Sequence, residues 1–312
     1  MSAPVSECRL AIATSRLFPT VHPDDVYFVA VLEQLGIQPA MCVWDDPAVD
    51  WSAFDTVLVR TVWDYFQHYA PFLAWLDALD RLGVPGINNT DMLRWNSDKR
   101  YLLELEPHGV PIIPTQVSRG TDLQRLLTAM TGQDLVIKPT VSGGAWHTLR
   151  GVVGDANFRQ ALSLLPTELD YLVQPFVPDI ASNGEWSLLY FGGRYSHAVL
   201  KRPAAGDYRV QENHGGTATQ ATPDDFILRA ASNALAVTAG LGHREPAYAR
   251  VDGVVVDGQF LLMELELIEP LLHLAIRPDA AERFARHIAE RLQHLKAGRS
   301  RPAAAKPGGG AP

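Results

Sequence analysis

Two cysteines in 312 residues, Cys8 and Cys42, are too few and too far apart for a disulfide framework or a zinc site. Cys42 lies in an apolar run, where a small buried thiol is the default. No segment approaches the ~20 consecutive apolar residues of a membrane span, and no basic stretch leads into a long apolar run at the start. The chain also lacks a surplus of positive charge. A formal net charge of −8 leaves no basic footprint for nucleic acid or an anionic membrane. Neither a Walker A nor a Rossmann glycine pattern is present. His147, His214, His243 and His273 share no metal-ligand spacing and read as hydrogen-bonded or surface residues. The expectation is a cytoplasmic globular protein of two or three lobes that handles any anion locally.

What is present begins with alternation of strand and helix. Arg9 to Thr14, Ile37 to Val43 and Thr56 to Arg60 read as strands, with helices over Asp24 to Leu35 and Pro71 to Leu82, the latter stopped by Gly83. This makes residues 1–89 a small open α/β lobe. In such sheets ligands gather at the carboxyl ends of strands, where Arg60, Thr61, Trp63 and Asp64 fall. Arg60 reads either as a clamp for a substrate carboxylate or as a surface charge beside a packed tryptophan. Two helical pieces follow, Asp91 to Asn96 and Ser97 to Leu105, with Lys99 on the first turn of the second. From Ile112 a separate small lobe of strand, helix, strand, loop and strand is expected, so that 90–173 form a lid and 174–297 a third lobe. Helices are expected over Pro223 to Ala239 and Pro278 to Leu295. The Ala-, Pro- and Gly-rich 298–312 read as a disordered tail without chemistry.

The most informative stretch is Tyr248 to Pro270, which sets Asp252, Glu264 and Glu266 among apolar residues around an Asp257-Gly258 turn. A two-residue type I′ loop there pairs Asp252 with Met263 and sends the aspartate and the glutamates to opposite faces. A three-residue loop over Val256, Asp257 and Gly258, with Gly258 in a G1 bulge, pairs Asp252 with Leu262 and puts all three acids on one face. We expect the second register. Three carboxylates on a half-buried face repel, and Mg²⁺, which favours oxygen ligands and keeps sites for water or phosphate, is the natural compensator. The bland alternative is an amphipathic edge strand with a polar outer face. Arg250, on the same face, favours a phosphate site.

Two further stretches carry candidate anion-binding groups. Lys138 closes an apolar strand and is followed by Ser142-Gly143-Gly144, which either cradles phosphate or is an ordinary turn. Gln174-Pro175-Phe176-Val177 is a strand broken by proline, whose freed backbone groups suit an adenine edge. Lys201 and Arg202 end a hairpin arm and lead into a loop holding Arg209, Gln211, Asn213, His214, Gly215 and Gly216, which reads as a substrate lid or as an exposed surface loop.

In this order, lysine, lysine with a small-residue loop, proline-broken hinge, arginine-rich loop, Arg-Val-Asp and Glu-Leu-Glu, the stretch from Asn88 to Pro270 resembles the ATP-grasp carboxylate-amine ligases, in their glutathione synthetase-like branch. Arg-Thr-Val-Trp-Asp-Tyr, Trp-Asn-Ser-Asp-Lys-Arg-Tyr-Leu, Gly-Glu-Trp-Ser-Leu and His-Ala-Val-Leu-Lys-Arg-Pro are similar to the ring-closing O-ureido-D-serine cyclo-ligases. The resemblance implies an α+β ATP-grasp fold clasping ATP and one or two Mg²⁺ (or Mn²⁺) ions. It further implies an amino-acid-like small-molecule substrate activated as an acyl phosphate, and a homodimer by family habit. Lys99 and Lys138 would contact ATP phosphates, residues 174–177 the adenine and Glu185 the ribose. Asp252, Glu264 and Glu266 would hold metal, Arg250, Lys201 and Arg202 would lie near the transferring phosphate, and Arg60, Asp64, Arg209, Gly215 and Gly216 near substrate. The loop at Ser142 has fewer glycines than the family's usual loop, and Glu266 stands where many relatives carry Asn. A nucleotide-binding switch without turnover is the competing class.

Overall fold

The computed structural model describes residues 8–204, 206–207, 209–210 and 215–299. Three sheets form among them. Strands β1 (Arg9–Thr14), β2 (Gln38–Val43) and β3 (Thr56–Thr61) make a parallel sheet in the order β2-β1-β3. Strands β4 (Gln116–Arg119), β5 (Asp134–Pro139), β6 (Leu149–Val152) and β7 (Asp170–Pro175) make an antiparallel sheet, β4-β7-β5-β6. Strands β8 (Glu185–Phe191), β9 (Arg194–Arg202), β10 (Thr217–Ala221), β11 (Tyr248–Val256) and β12 (Gln259–Glu266) make a second antiparallel sheet, β10-β9-β8-β11-β12. Alternating helix and strand at the start, then hairpins, is the pattern from which an α+β arrangement follows.

The closing helix runs Pro278–Arg299, past the expected stop at Leu295, and it packs on the first helix, Val26–Gln34. Phe284 stacks between Phe28 and Phe191 at 4.6 Å to each ring centroid. This apolar stripe, with Ile288 and Leu292, ties the front lobe to the third sheet; each such side chain contributes about 1.5–3 kcal/mol when fully buried.

β12 is an edge strand, and its free backbone edge is taken up by side chains. Asn96 accepts from Leu267 N at 2.8 Å and donates to Leu265 O at 2.7 Å, while Tyr101 Oη accepts from Leu265 N at 2.8 Å. Asn88 donates to Leu267 O at 2.7 Å. Buried backbone groups demand such partners, so the linking segment is pinned to the acidic strand.

The turn at Asp257-Gly258 is the two-residue form, with φ of 49° and 77° and Val256 paired to Gln259. The expected three-residue loop does not form. A bulge between Asp252 and Gly253 corrects the register instead, so that Gly253 pairs with Leu262, Met263 is skipped and Asp252 faces Glu264. The sequence signal for it was Gly253 inside an apolar strand, a mark of a bulge or close approach. A Cβ on Gly253 would lie 2.3 Å from the Phe260 ring and 2.6 Å from Leu261 O. Gly253→Ala is therefore expected to lower unfolding stability by about 1–3 kcal/mol, read by urea denaturation, and to reduce activity through the displaced Asp252.

Candidate active site

A cleft of about 600 Å³ lies between the sheets, and Lys99, Lys138, Glu185, Arg250, Asp252 and Glu264 all line it. Strand periodicity explains why. Asp252 and Glu264, and Arg250 and Glu266, are cross-strand partners, so all four share one face of the β11–β12 hairpin. Glu185 and Lys201 are partners on β8 and β9, and Ser187 pairs with Asp252 across β8 and β11.

These charges satisfy one another closely. Arg250 Nε lies 3.0 Å from both Asp252 oxygens, and its Nη2 also donates to Glu266 Oε1. Lys201 Nζ lies 3.1 Å from Glu185 and 3.5 Å from Asp252, and Ser187 Oγ donates to Asp252. Lys99 Nζ lies 3.0 Å from Glu264 and donates to Ser142 O. Burial opposes ionisation of Asp252, but Arg250 and Lys201 outweigh it and hold the carboxyl down at about 2. Burial of Glu264 is likewise outweighed by Lys99 and Lys138. At Glu266 burial wins over Arg250, helped by Glu264 and Asp252, and the carboxyl is pushed up to about 7.

Among the described residues no three His, Cys, Asp or Glu side chains form a ready metal cage; Asp252 and Glu266 share Arg250, and Glu264 pairs with Lys99. The donor set nonetheless suits a divalent ion: hard oxygens on one face, with Glu266 raised by burial and by the neighbouring Glu264 and Asp252. That rise has a consequence for stability. A carboxyl whose folded pKa exceeds its ordinary 4.5 costs the folded state increasingly as pH climbs from there to about 7. Glu266→Gln is expected to melt with wild type at pH 5 and above it at pH 8, by roughly 1–3 kcal/mol, with the gap closing when magnesium and ATP are added. Melting curves at the two pH values check this.

Lys99 does not sit on a helix. The two helices are Thr90–Ser97 and Tyr101–Leu105, and Lys99 falls in the break between them, where its N–H donates to Thr140 O at 2.8 Å. Lys138 has no hydrogen bond or ion pair among the described residues, and burial lowers its ammonium pKa. The loop after it holds Gly144, Ala145 and His147 at φ of 56°, 62° and 50°. Trp146 N donates to Gly143 O and Thr148 N to Ala145 O, each at 3.0 Å, so these left-handed residues close successive tight turns. Gly143 is required for another reason: a Cβ there would lie 2.7 Å from the ring of Phe66 in the front lobe.

In the hinge, Gln174, Pro175, Phe176 and Val177 line the cleft. Gln174 Nε2 donates to Thr115 at 2.8 Å, Phe176 N to Asp134 O at 2.9 Å, and the Arg150 guanidinium lies 3.2 Å from the Phe176 ring centroid.

Other expected residues are placed elsewhere. Arg60 is neither clamp nor surface charge: it is 2% exposed, forks onto Asp25 at 2.9 and 3.1 Å and donates to Pro270 O at 2.9 Å, outside the cleft lining. Asp64 is committed to Trp44 Nε1 at 2.8 Å. Arg202 is exposed because strand alternation that turns Lys201 inward turns its neighbour outward. Arg209 lines the cleft and forks onto Asp207, whereas Gly215 and Gly216 lie before β10 and do not line it. Gln211, Asn213 and His214 lie outside the described residues, as does the tail from residue 300.

Glu269 and His22 escaped the sequence reading, and His273, expected to be hydrogen-bonded or at the surface, is instead buried in the cleft wall. Glu269 follows the acidic strand, His273 is 4% exposed with Nε2 unpartnered and a φ of 52°, and His22 packs at 5.0 Å on Trp63. Burial, with Lys201 and Arg250, drives the His273 pKa well below its usual value. None sits in a motif; only the Glu-Pro step after β12 hinted at a chain reversal toward the cleft.

A clasp of two antiparallel sheets over lysines, arginine and acids, behind an α/β lobe, is that of an ATP-grasp ligase, and an ATP-grasp protein with a RimK domain from Sphaerobacter thermophilus shares the fold at a TM-score of 0.65, 18% identity, 90% of this chain and 99% of that one. Residues 10–88 match the family described as D-cycloserine synthetase DcsG, N-terminal domain. The cycloserine biosynthesis protein DcsG of Streptomyces lavendulae is 34% identical over 298 residues, 91% of this chain and 99% of that protein. The crystal structure of D-cycloserine synthetase DcsG superposes with a TM-score of 0.80 at 32% identity, again over 91% of this chain and 99% of that one. The chain belongs to the DcsG family of ATP-grasp ligases. It is an ATP-dependent enzyme, not a nucleotide switch, and no described helix is long and apolar enough to cross a membrane.

Proposed function

We propose that the enzyme activates the carboxylate of an amino-acid-derived substrate with ATP and closes a ring on a nitrogen of the same molecule, as the name of its relative, D-cycloserine synthetase, suggests. The observation that carries this reading is the hairpin face bearing Arg250, Asp252, Glu264 and Glu266 in one cleft with Lys138, whose ammonium has no partner among the described residues. A substrate carboxylate oxygen attacks the γ-phosphorus, the bond to the β-phosphate oxygen breaks, and acyl phosphate and ADP result. The nitrogen then attacks the acyl carbon, loses its proton and expels phosphate.

Lys99 and Lys138 hold phosphate oxygens, the backbone at 174–177 reads adenine, and Glu185 takes the ribose after yielding Lys201. Arg250 and Lys201 offset charge on the transferring group. Asp252, Glu264 and Glu266 would hold Mg²⁺ or Mn²⁺, which supplies further neutralisation of phosphate charge. The Gly143 loop, lying on Phe66, excludes water from the acyl phosphate. An amine on a second molecule, giving an amide, is the alternative outcome. The test is O-ureido-D-serine and an amino-acid panel with ATP: substrate-dependent ADP release and trapping by hydroxylamine as a hydroxamate are expected. AMP release instead would remove the acyl-phosphate step.

A further inference from the structure

Five carboxylates line the cleft, and four are matched to a cation: Glu185 to Lys201, Asp252 to Arg250, Glu264 to Lys99 and Glu266 to Arg250. Glu269 is the exception. Among the described residues its side chain makes no ion pair and no hydrogen bond to another residue, although it is only partly exposed. Its backbone is held firmly, since Trp63 Nε1 donates to Glu269 O at 2.9 Å. That indole is the centre of an aromatic cluster on the front-lobe wall of the same cleft, with Phe18 at 4.8 Å and His22 at 5.0 Å, both edge-on.

We propose that Glu269, walled by Trp63, Phe18 and His22, holds the α-ammonium of the amino-acid substrate. This deepens the ligase reading and rests on it. An alkylammonium is the cation such a wall favours, because one carboxylate and aromatic faces satisfy it, whereas a hard metal ion needs several oxygens. Burial and Glu266 hold the Glu269 carboxyl up at about 8, a cost that an arriving ammonium relieves. The pairing also orients the substrate. With the α-ammonium held, the acyl carbon is fixed relative to the distal nitrogen, whose attack closes a five-membered ring.

Steady-state kinetics on Glu269→Gln, with O-ureido-D-serine and its counterpart lacking the α-amine, 3-(ureidooxy)propanoate, test the assignment. Wild type should prefer the amine-bearing compound. The variant should lose about a hundredfold in kcat/KM for that compound, mostly through KM, with no loss for the other, while half-saturation by ATP and by magnesium stays unchanged. Glu269→Asp should recover part of the preference. An equal loss on both compounds, a shift in magnesium half-saturation or an unchanged preference would overturn it. If wild type releases no ADP with either, the ring-closing reading has failed separately. Glu269 is then judged by calorimetry of D-serine against 3-hydroxypropanoate in the presence of magnesium and a non-hydrolysable ATP analogue. D-serine binding confined to wild type supports the assignment; binding that is absent, or equal in both proteins, overturns it.

Discussion

Replacing Glu264 by Gln should reduce ADP release about a thousandfold while leaving the fold intact. Glu264 faces Asp252 across the hairpin and pairs with Lys99 at 3.0 Å. Lys99 and Lys138 keep it ionised against the cost of its burial, so at neutral pH the substitution removes a full charge rather than a proton. The amide is nearly isosteric and still lies beside Lys99, whose ammonium keeps its bond to Ser142 O. Stability should therefore change little, and melting curves of the two proteins should nearly coincide. The loss should appear in kcat and in a raised magnesium requirement. Undiminished turnover in the variant would mean that the acidic face plays no part in phosphoryl transfer.

Lys138→Met should raise the KM for ATP by about 10–150-fold, the worth of a charge-assisted bond of ~1.5–3 kcal/mol. Lys138 belongs to β5 and lines the cleft, its ammonium has no partner among the described residues, and burial, with Lys99 nearby, lowers its pKa. A depressed lysine pKa means that the charge costs the folded state at every pH below it. Methionine keeps the stem and removes that cost, so the variant should melt at or above the wild-type temperature while binding ATP poorly. Opposite signs for stability and affinity are the mark of a group retained for its ligand. Isothermal titration with ATP and a melting curve decide it; unchanged ATP affinity would exclude Lys138 from the phosphate site.

Much was legible before folding because strand and turn chemistry is local. The strands around Ile12 and Val59 and the αL stop at Gly83 follow from neighbours a few residues away. So does the placing of Arg250, Asp252 and Glu264 on a common strand pair; the cleft is lined by Lys99, Lys138 and Glu185 as well, but not by Arg60, Asp64, Arg202, Gly215 or Gly216. Arg60 was beyond that reach. Its partner Asp25 lies 35 positions upstream, and a buried ion pair between distant segments has no signature at either end. Glu269 and His273 were hidden for the same reason: they follow the last strand in irregular chain, and bonds from distant residues, Trp63 to Glu269 O, Arg60 to Pro270 O and Arg250 to Leu271 O, hold that segment at the cleft.

The β11–β12 hairpin separates the two kinds of information most sharply. Asp257-Gly258 marked the turn but left its length open, so that a three-residue loop was expected where the two-residue form appears; alternation specified which residues share a face within each strand. How the two strands were registered beyond the turn was settled by Phe260 and Leu261 closing over Gly253, and by Asn96 and Tyr101 gripping the far edge of β12. Those are contacts between parts of the chain up to 171 residues apart. Local propensity acts on neighbours in sequence, whereas a bulge that moves one carboxylate opposite another is selected by the summed burial and hydrogen bonding of everything packed around it.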